Sequence, residues 1–520
     1  MKNKEKTTIR KIEFKRTESI YLIVRGVEVG VAAGLICSLY RFLLQLAEDK
    51  LIDILGYIKG NPLRIALWLI GVTAIGYIVS LIVKWEPDAG GSGIPQTAGE
   101  IRGYFTLNWW KVIIAKLVGG TLTVFSGLSL GREGPSVQLG GMAAKGAAIV
   151  TKADRTSQLR MMACGTGAGM SAAFNAPIAG TMFVFEEIQH GLDRSVMCMG
   201  IVSAIVADFI SKIFFGQDTI FHYDPQRIPL RFYWVLIIMG VIFGIAGTCY
   251  NHIMVKSQAL FKKAERIPSG VKMSFAFLVS GIVGLFVPQV LCGGHRMTAL
   301  LMQENPELKM LIFLFLAKFI FGAFSFGSGA PGGTLYPLCI LGAYLGAICG
   351  DITLGVFSLG PEFRQDFVIA GMAGLFASTV RAPLTGIILV FELTGDMNSL
   401  LPLATVSLIS YAVANVIGTA PFYSILFEKT VKNTEVPINT KDSEKVLQTF
   451  NIPIGSPVNG KKISEIDWGK HCLIVSIDRN EVPITPKGDT VLKEGDTLVL
   501  TISQRRYQQD VSRINKTING

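Results

Sequence analysis

The residues predict an all-α polytopic membrane protein of broken and tilted helices in two related halves, followed by a small α/β domain. Three observations carry this. Half of the 520 residues are hydrophobic, only 17% are charged, and mean hydropathy is +0.46; a soluble chain normally carries about a quarter charged residues. Many apolar runs are long enough to span a bilayer, yet others stop short at Gly-rich breaks, among them Ala163 to Ala173 and Leu335 to Cys349. Broken helices at membrane depth are tolerated only where protein buries them or a polar cavity receives them, which points to a transporter or channel. After Glu428 the long apolar runs cease.

Residues 1–18 form a basic tail (Lys2, Lys4, Lys6, Arg10, Lys11, Lys15, Arg16) that accounts for part of the net charge of +11. Positive charge ahead of a first span places the N-terminus in the cytoplasm; orientation and lipid contact explain it, and nucleic acid is not an expected partner. No cleavable signal is expected, because the first apolar run starts near Ile20 and continues past Leu44. Helices are predicted over about Ile20–Ala47 and Leu63–Val83, with a Gly/Pro loop from Trp85 to Pro95. Val112–Leu130 leads to a second loop, and Val137–Val150, Met161–Ala173, Ala176–His190 and Ser195–Phe215 follow. The polar stretch from Gln217 to Arg231 reads as a connection outside the bilayer. The second half is expected as Phe232–Met254, Met273–Val290, Leu308–Phe324, Leu338–Cys349, Phe367–Thr379, Pro383–Leu393 and Leu401–Ile417, closed by Pro421–Phe427. The domain division is therefore 1–18, a transmembrane domain over 19–432 with repeats at about 19–216 and 232–430, and a cytoplasmic domain over 433–520.

The halves repeat. Ala176-Pro177-Ile178-Ala179-Gly180, followed by Val184-Phe185-Glu186, matches Ala382-Pro383-Leu384-Thr385-Gly386, followed by Val390-Phe391-Glu392. Related halves with Gly-rich loops ahead of helices suggest inverted repeats that bring half-helix N-termini to a midplane site.

Glu133 stands among Gly131, Arg132, Gly134 and Pro135, between two apolar segments. An ionisable residue at membrane depth is a functional-site hypothesis by default. Unpaired N–H groups at a helix start attract anions, and a carboxylate is itself an anion that leaves such a site when protonated. The reading is an anion transporter gated by Glu133. Eight cysteines lie singly without CxxC, and the five histidines (His190, His222, His252, His295, His471) are far apart, so no metal or other cofactor is expected. No GxxxxGK[ST], HExxH or nucleophile–base pairing points to an enzyme, and a cation site would need more inward carboxylates.

Gly91-Ser92-Gly93-Ile94-Pro95, Gly131-Arg132-Glu133-Gly134-Pro135 and Gly333-Thr334-Leu335-Tyr336-Pro337 resemble the GSGIP, G(K/R)EGP and GxFxP motifs of the CLC family of chloride channels and chloride/proton exchangers. Phe174-Asn175-Ala176-Pro177, Arg381 to Gly386 and Pro421-Phe422-Tyr423-Ser424 also fit, so the resemblance spans roughly residues 18–430. It implies the CLC fold of two inverted-topology repeats and a homodimer in the cell membrane, with both termini cytoplasmic. It also implies that Ser92 and Tyr423 give hydroxyl donors to chloride, with Gly93, Ile94, Gly131, Arg132, Glu133, Gly134, Thr334 and Leu335 completing the site. Ser92 stands where nitrate-preferring relatives carry Pro, and Leu335 departs from the usual Phe. Glu133 takes the place of the family's external gating glutamate, and Glu187, second of Glu186-Glu187, that of its inner proton glutamate. Channel-type relatives usually replace the latter, so the resemblance implies exchange of two chloride ions for one proton; the alternative is a passive gated chloride channel.

In the tail, His471–Asp478, Glu481–Thr485 and Thr497–Ser503 read as strands between turn signals, and Arg505–Ile514 as a closing helix. From about Lys441 this segment resembles the TrkA-type C-terminal domain through Gly460 to Ile463, Ile474, Val475, Ile477, Arg479 and Glu494 to Leu498. Relatives of that domain pair and can bind a small ligand, in some cases a cyclic dinucleotide, so the expectation is such an effector or a purely structural dimerisation role.

Overall fold

A computed structural model describes residues 2–519 except 190, 192, 218–227, 265, 304–305, 358–359, 434–444, 454, 470–471, 480–481 and 504–506. The chain divides into two compact units, Met1–Ala98 with Leu107–Thr430, and Gly99–Thr106 with Val431–Gly520. Expected elements that end at His190, His471, Glu481 or Arg505, the connection across 218–227, and the tail's start at Lys441 reach outside the described residues.

The first half holds α1 (Lys2–Ile58), α2 (Pro62–Trp85), α3 (Ile94–Ile101), α4 (Trp109–Phe125), α5 (Glu133–Val150) and α6 (Arg155–Phe174). It continues with α7 (Pro177–Phe183), which runs into a π-helical turn over Val184–Gln189, and α8 (Arg194–Phe215). The second half repeats the order with α9 (Tyr233–Lys263), α10 (Ser269–Phe286), α11 (His295–Gln303), α12 (Leu308–Gly327) and α13 (Leu335–Phe357). Then come α14 (Arg364–Val380), α15 (Pro383–Thr394) and α16 (Leu400–Ile417), and α17 (Phe422–Asn433) follows both halves. Eight described helices are long and apolar enough to cross a membrane.

Local chemistry sets the ends. Asn61 accepts N–H bonds from Leu63 and Arg64 and precedes Pro62, a residue suited to a first helical position. Asp154 and Asp193 cap α6 and α8 through Ser157 N and Ser195 N at 3.1 and 2.8 Å. At the far ends of α6 and α14, Asn175 and Arg381 adopt left-handed conformations at φ 55° and 69°, equivalent positions of the two halves.

Helix α5 packs on α6 through glycine: a Cβ on Gly140 would fall on the Gly165 carbonyl, and one on Gly169 on the Ser136 carbonyl. The second half does the same, a Cβ on Gly342 falling 2.5 Å from the Gly371 carbonyl where α13 meets α14. Small residues of this kind let membrane helices approach without a cavity. They also explain a correction. Leu335 to Cys349 was expected to be too short to span, but α13 runs 23 residues and ranks among the candidate spans. Its glycines serve close packing within a continuous helix rather than ending it. Helix α1 likewise extends back to Lys2, since nothing between Lys2 and Arg16 is Gly or Pro. Glu133 opens α5 four residues earlier than Val137, and α3 and α11 are short helices that the loop-like composition hid.

Two lysines are pseudo-equivalent. Lys116 on α4 donates to the carbonyls of Ala89 and Gly91 at 2.9 and 2.8 Å, and Lys318 on α12 to those of Val290 and Cys292 at 3.0 and 2.8 Å. Both are fully buried. Each ties down the loop ahead of a short helix, α3 or α11.

The tail forms a four-stranded antiparallel sheet of order β1-β4-β2-β3, with β1 Lys445–Asn451, β2 Leu473–Arg479, β3 Val482–Ile484 and β4 Thr497–Ser503. Lys445 pairs with Ser503 and Leu473 with Thr501, with a bulge at Ile474/Ser476. Strand β1 was not anticipated, because Gln448, Thr449 and Asn451 dilute its apolar signal. The closing helix α18, Tyr507–Asn519, runs past the expected end at Ile514, so that Ile514 and Ile518 join Phe450, Ile477, Leu498, Leu500 and Ile502 in the core.

Candidate functional site

Four helices begin at the motif residues: α3 at Ile94, α5 at Glu133, α13 at Leu335 and α17 at Phe422. Their loops are sewn together by backbone. Gly131 and Gly333 exchange N–H···O bonds of 2.7 Å in both directions, while Gly91 N donates to Gly329 O and Gly332 N to Gly91 O, both at 3.1 Å. The loops approach too closely for side chains: a Cβ on Gly134 would stand 2.5 Å from Ser92 Oγ, and one on Gly333 2.6 Å from Gly134 N. Gly93 sits at φ +86° against the Gln138 side chain, a conformation open to glycine.

Within this meeting point Glu133 is 1% exposed. Its Oε2 accepts from Tyr336 N at 3.3 Å, and the N–H groups of Arg132 and of Glu133 itself also bond the carboxylate. A carboxylate thus lies at two helix N-termini, α5 and α13, where partial positive charge favours an anion. Ser92 Oγ is buried, and among the described residues it has no hydrogen-bond partner. Tyr423 is buried, and the side chain of Thr334 hydrogen-bonds both Tyr423 and Tyr250. The Tyr423 phenol feels the charges of both Glu133 and Glu187. Ile94 and Leu335 are buried at their helix starts. Arg132 turns toward a cavity of about 500 Å³ that Glu133 also lines, together with Arg41, Glu48, His295 and Arg296. Its Nε has no partner among the described residues. The hydrogen-bond donors to the Glu133 carboxylate are backbone N–H groups, which bind an anion while letting it leave.

Glu187 is 5% exposed on the π-helical turn and so is no solvated helix-end residue. Turns of this type are frequent at functional sites. Its neighbour Glu186 instead points at the other repeat, bonding Leu384 N and Thr385 N at 3.2 and 2.7 Å. Sequence reasoning missed Lys116, Lys318, Gln138, Tyr336 and His295. A charged residue inside each of the apolar runs of α4 and α12 was the available signal for the lysines.

A polytopic protein with inverted repeats, whose helix N-termini converge on one buried carboxylate, is an anion-transport protein of the membrane. Residues 71–415 match the family model described as Voltage gated chloride channel, and residues 447–509 that of the TrkA-C domain. The chain belongs to this chloride channel (CLC) family. A relative from Vibrio parahaemolyticus, named H(+)/Cl(-) exchange transporter ClcA, is 33% identical over 429 residues, covering 80% of this chain and 91% of the relative. Another of that name from Salmonella gallinarum is 31% identical over 463 residues, with 86% and 95% covered. Among solved structures, a slow cyanobacterial Cl-/H+ antiporter superposes with a TM-score of 0.75 at 28% identity, covering 79% of this chain and 98% of that one. A eukaryotic CLC transporter shares the fold at a TM-score of 0.64 and 22% identity, covering 79% and 74%.

Proposed function

We propose that this protein exchanges chloride for protons across the cell membrane, two chloride ions for one proton. Glu133 is the gate and Glu187 the inner proton carrier. The observation that carries this reading is the position of the Glu133 carboxylate, held by N–H groups of α5 and α13 where a halide would otherwise sit. When Glu133 takes a proton its charge is lost, those donors are released to chloride, and Ser92, Tyr423, Thr334 and the amides around Gly93, Ile94, Gly134 and Leu335 coordinate the ion. The buried Glu187 and the Tyr423 phenol, which feels both glutamates, support a proton route from the other face. The names of the relatives at 31–33% identity support an exchanger.

Reversal potentials in liposomes under crossed chloride and pH gradients test this. The wild type should reverse between the chloride and proton equilibrium potentials. Glu133→Ala should carry chloride without protons, and Glu187→Gln should lose proton transport while chloride still moves. Proton pumping that survives in Glu133→Ala overturns the gate assignment, and normal proton flux in Glu187→Gln removes that residue from the mechanism.

The protein acts as a homodimer with both termini in the cytoplasm. Its tail pairs with the partner's tail and takes a small ligand such as a cyclic dinucleotide. Calorimetry of the intact protein with cyclic di-AMP should give saturable heat; none would dismiss that effector.

A further inference from the structure

Tyr336 is the second residue of α13 and touches the gate at one end and the cavity wall at the other. Its N–H donates to Glu133 Oε2 at 3.3 Å. Its Oη lies 3.0 Å from His295 Nδ1, and the two rings meet tilted, 4.7 Å between centroids and 38° between planes. The phenol also hydrogen-bonds the Thr298 side chain, one turn further along α11. Phe174, at the end of α6, packs beside the ring at 6.2 Å. The phenol is 1% exposed, whereas His295 is half-buried and lines the cavity with Glu133, Arg132 and Arg296. The first turn of α13 is thus tethered through one side chain to the first residue of α11.

We propose that Tyr336 and His295 form a latch that keeps the Glu133 carboxylate in the anion site. Tyr336 acts through its N–H, and His295 by fixing the Tyr336 ring. The Tyr336 phenol and His295 are positioning groups, because neither the phenol oxygen nor the imidazole needs to touch chloride. Whichever ring nitrogen of His295 carries the proton, the O···N contact ties α11 to α13. Loosening it lets the first turn of α13, and the N–H that holds the carboxylate, drift from the geometry that favours the bound gate. Chloride then competes against a weaker occupant. The inference rests on the reading of Glu133 as chloride's competitor.

Chloride titration calorimetry on the purified full-length protein tests it, in the wild-type and Glu133→Ala backgrounds. Tyr336→Phe keeps the ring and the N–H and removes only Oη; His295→Ala removes the imidazole at the cavity wall and serves if the first variant does not fold. Losing the bond to His295 should tighten apparent chloride binding about fivefold in the His295 variant, and at least as much in Tyr336→Phe, which also loses the bond to Thr298. The double variant should gain little more, because both changes break one contact. In Glu133→Ala there is no carboxylate to hold, so neither change should tighten chloride binding. No tightening in the wild-type background overturns the latch, as does an equal shift in Glu133→Ala, which would mean that the pair shapes the anion site itself. Should Glu133→Ala alone bind chloride no more tightly than wild type, the competition reading fails and takes the latch with it. If Glu133→Ala binds more tightly and the two variants do nothing, only the latch falls.

Discussion

Glu186 and Glu392 cap each other's repeats. The Glu186 carboxylate accepts from Leu384 N, Thr385 N and Thr385 Oγ1 at the start of α15, and Glu392 from Ile178 N and Ala179 N at 3.0 and 2.7 Å at the start of α7. Each glutamate follows the Ala-Pro motif of its own half by the same spacing, and each reaches the first turn of the other half's motif helix. The orphan N–H groups behind Pro177 and Pro383 are thereby satisfied by charge-assisted bonds across the repeat boundary.

Glu186→Ala should therefore destabilise the membrane domain by about 1.5–3 kcal/mol, the worth of hydrogen bonds to a charged group. Glu392→Ala should cost a similar amount. Thermal unfolding in detergent reads both. The surviving Glu186→Ala protein should keep its chloride-to-proton ratio, because the proposed proton carrier is Glu187; loss of coupling would move that role to Glu186.

On the proposed coordination of chloride, Ser92→Ala and Tyr423→Phe each remove one hydroxyl donor to the ion. A donor to a charged partner is worth about 1.5–3 kcal/mol, and the remaining amides compensate in part, so each variant should weaken chloride binding by about tenfold. Calorimetric chloride titration measures this. Unchanged affinity in Ser92→Ala would place the ion away from that hydroxyl.

Gly169→Ala should disturb the gate from a distance. The added Cβ would fall on the Ser136 carbonyl in the first turn of α5, backbone that cannot yield without moving Glu133. Overpacking of this kind costs about 1–3 kcal/mol. Both unfolding temperature and chloride affinity should drop; a variant that loses neither would show that α5 shifts freely against α6.

Motif strings mark the loops and helix starts that carry Ser92, Glu133, Thr334 and Tyr423, because a loop of Gly and Pro feeding a helix start is a local pattern. The internal repeat was legible for the same reason, through Ala176 and Ala382. What escaped is set by long-range packing. Tyr336 and His295 lie 41 residues apart, and no periodicity announces that their rings meet. Lys116 and Lys318 were absorbed into apolar runs, since one cation scarcely alters a helix-long hydropathy window. The glycines of α13 read as breaks until the facing glycine of α14 was seen. Strand β1 escaped because its polar residues mask the alternation that marks a strand.

The pH response of the tail follows from Asp496, which opens onto β4. Arg479 Nε and Nη2 bond its two oxygens at 2.7 and 2.8 Å, Lys493 N adds a third bond at 2.8 Å, and Arg479 Nη2 also reaches Val491 O. Burial pushes this carboxyl up, but the Arg479 pair and the Lys493 N–H outweigh it and leave Asp496 below the usual carboxylate range. A group depressed in the folded state lends stability that is complete above its unfolded pKa, about 3.9 for Asp, and that is lost as pH falls through the lower folded value. The stability that this pair lends the tail should thus not vary with pH near neutrality and should be lost below about pH 4. Arg479→Ala should remove that acid-side dependence and cost about 2 kcal/mol at neutral pH, since it strands a buried carboxylate. Amide hydrogen exchange of Leu498 and Leu500 on β4 in the intact protein measures both effects. Equal protection of β4 in wild type and Arg479→Ala at neutral pH would show that the pair does not hold the sheet.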